Sequence, residues 1–399
     1  MQSASSQSLS LCAKRAICLH KTLTTQLHSC SVWGTPPLSV STTRSAGWEL
    51  TRRSRGRHSW RTSGGSLPAA GRLIVRSKVE SAVASEPALL SGQYVDGVLG
   101  VRQTAEVPHE NSGASSDLIF LGTGTSEGVP RVSCLTHTSH KCPVCWEAAQ
   151  LGNKNRRRNT SLILRVASAD GTRKNILIDA GKFFYHSALQ WFPYYGIRNL
   201  DAVIITHSHA DAVGGLDDLR DWTNNVQDDV PIYLAQRDIE VLAKSHYYLV
   251  DTSVITKGTA VSKLQFKLIT EEPFDVLGLK VIPLPVWHGP NYRSLGFRVG
   301  NICYISDVSE IPEETYPLLE HCDLLILDAL RPDRSSTTHF GLPQAMEEVR
   351  KIRPRRTLFT GMMHTMNHDK INQELAKLRE SEGLDVQLSY DGMRIPVTF

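Results

Sequence analysis

The stretch ITHSHADAVGGLDDLR, residues 205–220, sets His207, His209 and Asp211 at every second position directly after an apolar run. Neutral imidazole and carboxylate are the ligands that divalent ions such as zinc take, and a catalytic ion leaves one position open for water. Two histidines leaving a strand at spacing two can converge on one ion. Asp211 alone would serve equally as a helix cap. With two histidines before it, ligation is the stronger reading. Position 212, where the pattern would continue, is Ala212.

The same relation of polar residue to strand recurs along the chain. Asp179, His288, Asp307, Asp328 and His364 each stand at or just past the end of an apolar run: KNILI, LKVIPLPVW, ICYIS, DLLIL and RTLFT. A residue there is held by a sheet yet faces open space, which suits a site. Each taken singly is more often a satisfied structural side chain. Six equivalent positions together argue for one assembled centre.

The order of these landmarks resembles that of the metallo-β-lactamase superfamily, whose first motif is H-x-H-x-D-H, here H-x-H-x-D-A. The likeness covers roughly Leu118 to Val397. It implies a four-layer αββα sandwich with a one- or two-metal centre, holding Zn²⁺, Mn²⁺ or both, at one edge. His207, His209 and His288 would hold the first ion, Asp307 would bridge, and Asp211 with His364 would hold the second. Such an oxygen-richer second site should be labile and accept manganese more readily. Asp179 would support the site through hydrogen bonds. Asp217 or Asp218 remains a less favoured substitute ligand.

Within the superfamily, FLGTGTSEGVP is similar to the opening strand and turn of phosphoribosyl cyclic phosphodiesterases and their relatives. The following SCLTHTSHKCPVC supplies Cys134, Cys142 and Cys145, a C-x7-C-x2-C cluster. In a reducing compartment this reads as a structural zinc site, against the alternative of unpaired thiols. The resemblance implies a histidine as fourth ligand; His368 is the nearest candidate, with His137 and His140 as competitors. His339, in THFGLPQAMEEV, matches a histidine thought to aid leaving-group departure in the relatives. Helix capping is its equal alternative. Two signals carry less. The glycines of GTGTSEG precede no regular helix, which argues against dinucleotide binding. The run NKNRRRN could meet an anionic substrate or be a solvated loop.

A bound ion lowers the pKa of its water to about 7, and a second clamps phosphoryl oxygens as charge builds. The expected function is therefore a metal-dependent hydrolase, foremost a phosphodiesterase acting on a small or cyclic phosphodiester, with Asp211, Asp307 and His339 as catalytic residues. The alternatives are a ribonuclease Z-like nuclease, a thioester or lactone hydrolase, and a non-catalytic metal-stabilised module.

These side chains need elements to carry them. From Asp117 onward, short β-rich runs alternate with helix-like segments such as QRDIEVLAKSHYYLV, PEETYPLLEHC, LPQAMEEVRKIR and DKINQELAKLRESE, giving an α/β domain over 117–399. Before it, residues 1–78 hold twelve Lys or Arg and one acid, Glu49. That composition is expected of an organelle transit peptide, plastid in preference to mitochondrial, and 79–116 reads as an irregular linker. The formal charge of +4 is thus misleading, because the remainder carries 32 basic and 39 acidic residues. An acidic body disfavours strong nucleic-acid binding. No run of 18 apolar residues occurs, so no membrane span is expected. The expected partners are a small phosphodiester substrate and, at most, a second copy in a homodimer.

Overall fold

The computed structural model describes residues 115–399 except 140, 169, 170 and 255. The transit-peptide expectation, and that for the linker up to residue 114, lie outside the described residues.

Two seven-stranded sheets form the centre. The first contains β1 (Asp117–Gly122), β2 (Ser161–Ala167), β3 (Arg173–Ile178), β4 (Ala202–Ile204), β5 (Val230–Ala235) and β6 (Leu264–Ile269). The second contains β7 (Phe274–Val276), β8 (Leu279–Trp287), β9 (Arg293–Val299), β10 (Ile302–Ile305), β11 (Leu324–Asp328), β12 (Arg356–Thr360) and β13 (Val386–Leu388). The last strand, β14 (Arg394–Pro396), returns to the first sheet beside β1, so the orders are β14-β1-β2-β3-β4-β5-β6 and β13-β12-β11-β10-β9-β8-β7. Each sheet starts antiparallel and ends parallel.

Successive side chains on a strand point to opposite faces, and here both faces are covered. In β1, Leu118 and Phe120 join the core between the sheets, together with Leu295, Phe297 and Ile326 of the second. Ile119 and Leu121 face the other way, into a layer with Phe184 and Phe192 of helix α3. The outer face of the second sheet packs Leu325 and Leu327 against Ala345, Met346 and Val349 of helix α6. This is the four-layer αββα sandwich. Full burial of each large apolar side chain contributes about 1.5–3 kcal/mol, so the three layers fix where every strand ends.

The helices that matter below are α1 (Val132–Thr136), α2 (Pro143–Ala148), α3 (Phe184–Tyr195), α4 (Ala210–Val213), α5 (Gln236–Ser245), α6 (Leu342–Ile352) and α7 (His368–Ser381). The run QRDIEVLAKSHYYLV is not one helix. It breaks at His246, whose φ of −133° and ψ of 49° leave the helical region, and resumes for one turn. PEETYPLLEHC forms only a 3-10 turn and one α turn. Helix α7 begins at His368 because the Asn367 side chain accepts from Lys370 N at 3.1 Å and caps it. No helix of the described residues is long and apolar enough to cross a membrane.

Candidate metal centre

The parallel strands of both sheets end at the same edge. Asp179 follows β3, His207 to Asp211 follow β4 and enter α4, Asp307 follows β10, and Asp328 closes β11. Antiparallel β8 delivers His288 there. A backbone bond from Leu295 N to Thr206 O, 3.0 Å, ties the two sheets together at this edge.

Asp307 occupies the middle. Its Oδ2 lies 3.6 Å from His207 Nε2, 3.7 Å from His288 Nε2 and 4.0 Å from His339 Nε2. Ligands about 2.1 Å from a tetrahedrally bound ion stand roughly 3.4 Å from one another, so the first two separations suit a shared ion, and the third is the longest. His209 Nδ1 lies 3.2 Å from His288 Nε2, and the nitrogens of His207, His209 and His288 fall within 4.8 Å of one another. Asp211 Oδ1 is 4.0 Å from His207 Nε2.

Hydrogen bonds behind the histidines aim their lone pairs at this point. Thr206 Oγ1 donates to Asp179 Oδ2 at 2.8 Å, so its oxygen accepts from His207 Nδ1, also at 2.8 Å. That assigns the proton to Nδ1 and frees Nε2, which is buried with no hydrogen-bond partner among the described residues. An orphaned buried acceptor is costly unless something fills the gap, and a divalent ion does so. His288 is fixed the same way: its Nδ1 donates to Thr338 O at 2.7 Å. Asp179 reaches both donors of Thr206 from a left-handed backbone, φ 62°. His209 is more exposed and is steadied by Tyr292, whose ring stacks on it at 5.1 Å and 13°, while the phenol oxygen bonds Ser208.

The electrostatics agree with this donor set. Burial pushes the His207 pKa down to about 3 and lowers that of His288, keeping both neutral and able to ligate. Burial would raise Asp307, but His339, His207, His288 and His209 outweigh it and hold the carboxylate ionised. Burial and the nearby Asp307 push Asp211 up to about 6. His339 is the exception among the imidazoles. Burial opposes its charge, yet Asp328, Asp307 and Asp211 raise it to about 9. Its Nδ1 bonds Asp328 Oδ2 at 2.8 Å, so Asp328, one of the strand-end candidates, serves as the partner of His339.

A second cluster lies apart. Cys134, Cys142, Cys145 and His364 present ligand atoms within 4.8 Å of one another. His364 Nδ1 is 3.5 Å from Cys134 Sγ and 3.4 Å from Cys142 Sγ, and Arg131 N donates to Cys145 Sγ. Burial pushes the Cys145 thiol up to about 12, whereas a bound cation would hold it as thiolate. Three sulfurs and one imidazole suit structural zinc.

This placement corrects two sequence expectations. His364, expected at the second catalytic ion, stands with the thiols. His368, expected there, does not: as the first residue of α7 it is buried against Tyr390, its Nε2 near Asn372 and its Nδ1 unpartnered. His137 is exposed and outside both clusters, and His140 is not among the described residues. The register explains the difference. Asp328 pairs with Thr360, so the residue of β12 that reaches the edge is Gly361, where a Cβ would collide with Asp328 Oδ1. His364 is three residues further on. Ala212 packs in the apolar layer under α3 and adds no ligand. Asp217 pairs with Arg220 instead of the centre. Sequence reasoning also missed Thr206 and Tyr292, whose roles arise only from the contact of separate loops.

Residues 174–362 match the family model described as a Beta-lactamase superfamily domain. Among solved structures the chain is similar to a new diphosphatase from the PhnP family, with 29% identity, a TM-score of 0.58, and coverage of 71% of this chain and 98% of that one. It is also similar in fold to the metallo-beta-lactamase fold protein YhfI from Bacillus subtilis, with 17% identity, a TM-score of 0.51, and coverage of 71% and 100%. A curated relative, an octanoyltransferase of Porphyromonas gingivalis, is 30% identical over 285 residues, which are 69% of this chain and 52% of the relative. The chain thus spans about half the length of the curated relative that it matches.

Proposed function

The chain belongs to the metallo-β-lactamase superfamily, and from that premise we propose that it is a hydrolase that cleaves the P–O bond of a small phosphodiester or diphosphate ester at a centre holding one catalytic ion. The observation that carries the reading is His339, backed by Asp328 at 2.8 Å, with its Nε2 4.0 Å from Asp307 Oδ2 and its ring 4.9 Å from that of His288. A ligand cluster beside a carboxylate-backed, proton-bearing imidazole is what in-line displacement at phosphorus requires.

His207, His209, His288 and Asp307 would hold the ion. When bound, a divalent ion supplies a nucleophile from water at neutral pH and a positive charge for phosphoryl oxygens. The chain's own residues do the rest. Thr206 and Thr338 O keep two imidazoles in the ligating tautomer. His339 Nε2 carries a proton that it can give to the departing oxygen, and Asp328 stabilises the charged ring before transfer. Asp211, beside His207 and shielded from bulk water, would orient the attacking group. With His364 among the thiols, Asp179 bonded to Thr206 and Asp328 to His339, Asp211 and the shared Asp307 are what the described residues of this edge offer a second ion, which is why the proposal is for one.

The test is a substrate panel on the metal-loaded full chain: bis-p-nitrophenyl phosphate, 2′,3′-cyclic nucleotides and a diphosphate ester, against a thioester and a lactone. Turnover of the phosphorus esters that disappears in Asp307→Ala supports the reading. Faster turnover of the thioester or lactone overturns it.

A further inference from the structure

The run NKNRRRN, residues 153–159, is neither at the metal centre nor a solvated loop. Its residues alternate. Asn155, Arg157 and Asn159 are buried, and Arg157 donates to the backbone oxygens of Met363 and Met366 at 3.2 and 2.7 Å. Lys154, Arg156 and Arg158 line a cavity of about 480 Å³ whose lining also includes Trp191, Tyr194 and Tyr390.

The three cations are held by uncharged acceptors. Arg156 donates from Nε and Nη2 to Ala148 O and Ala149 O at the end of α2, and Arg158 donates from Nη2 to Gln190 Oε1 at 2.7 Å. Lys154 Nζ sits 4.6 Å from the centre of the Tyr390 ring. These acceptors are uncharged, and among the described residues none of the three makes an ion pair within 4.0 Å. Asp391, the acid lining the cavity, is occupied by Arg158 N and Thr123 Oγ1. Arg394, also in the lining, is committed to Asp117. Three cations against the one lining acid, Asp391, which acts electrostatically on Arg158, leave the cavity net positive and attract an anion locally, not through the field of the whole molecule.

The aromatic wall adds a second requirement. The Trp191 indole lies flush against Gly392, where any Cβ would overlap it, and the Tyr195 hydroxyl donates to Gly392 O. Trp191 stands 6.0 Å from Tyr194 with the rings at 79°, so the two brace each other edge to face. Cations alone accept any anion, whereas exposed ring faces favour a flat aromatic group by stacking. The volume is that of a small-molecule site.

We propose that this groove, formed by Lys154, Arg156 and Arg158 with Trp191, Tyr194 and Tyr390, is a binding site for a mononucleotide, its phosphate on the cations and its base on the rings. The site shares no residue with the metal centre and does not depend on the reaction assigned there.

Calorimetric titration of the full chain with 5′-AMP, adenosine, ribose 5-phosphate and inorganic phosphate tests it. AMP should bind at least tenfold tighter than each of the others, because only AMP engages both walls. Lys154→Gln with Arg156→Gln should weaken AMP at least tenfold without changing hydrolysis of bis-p-nitrophenyl phosphate, and Tyr194→Ala should weaken AMP but not phosphate. If the double variant misfolds, Lys154→Glu alone replaces it, since Lys154 is exposed. AMP binding should persist in Asp307→Ala. The proposal is overturned if AMP binding is lost in Asp307→Ala while the groove variants retain it, if phosphate binds as tightly as AMP, or if a short oligonucleotide binds a hundredfold tighter than AMP.

Discussion

His364 Nδ1 lies 3.4 Å from Cys142 Sγ, although the two residues are 222 positions apart in the chain. The contact joins the loop between α1 and α2 to the segment after β12, and it removes from the catalytic edge a histidine that the family resemblance implied there.

Metal analysis of the purified chain should therefore find two ions per molecule, one in each cluster. His364→Ala should lose one of them and lower the melting temperature by roughly 5 °C or more, as expected when about 2 kcal/mol is lost from a domain of this size. His368→Ala should keep both. A third tightly held ion, or an unchanged ion count in His364→Ala, would remove His364 from the thiol cluster.

Asp307→Ala should cut hydrolysis more than a hundredfold while circular dichroism stays unchanged. The carboxylate is ringed by imidazole nitrogens and has no part in the packed layers. Activity within tenfold of the parent would show that Asp307 is outside the reacting group.

Thr206→Val keeps the volume of the side chain and removes the hydroxyl between Asp179 and His207. With the tautomer no longer fixed, metal affinity should fall about 10- to 100-fold. Chelator competition measures this directly, and an unchanged affinity would mean that the hydroxyl has only a structural part.

His339→Ala should matter according to the leaving group. A p-nitrophenolate departs without a proton, so its esters should lose little, whereas an alkyl leaving group should lose about 10²- to 10⁴-fold. Equal losses with both substrates would assign His339 to binding and not to proton donation.

Much of the fold and part of the centre were legible because strand ends are local. Apolar runs bounded by Gly, Asp or Pro mark the sheets, and the polar residues after β4, β8 and β10 come together as expected. What spacing could not reveal depends on register and on contacts between distant loops. Nothing near His364 says that β12 reaches the edge at Gly361, and nothing near His368 says that Asn367 caps a helix there. The Thr206 relay and the Tyr292 stack join segments whose proximity is a product of the finished sandwich. The alternation in residues 153–159 was visible as composition but not as two faces, because a basic run gives no sign of which side chains the chain will bury.

The pairing of β14 with β1 matters for the order in which the chain is made. Asp117 faces Pro396 and Leu118 faces Ile395, so the first sheet begins early in the domain and is completed by one of its last segments. During synthesis on the ribosome β1 must wait with one side of its backbone unpaired until residues 394–396 emerge. An unpaired strand edge is a template for wrong partners, so the newborn domain is most exposed to aggregation in that interval.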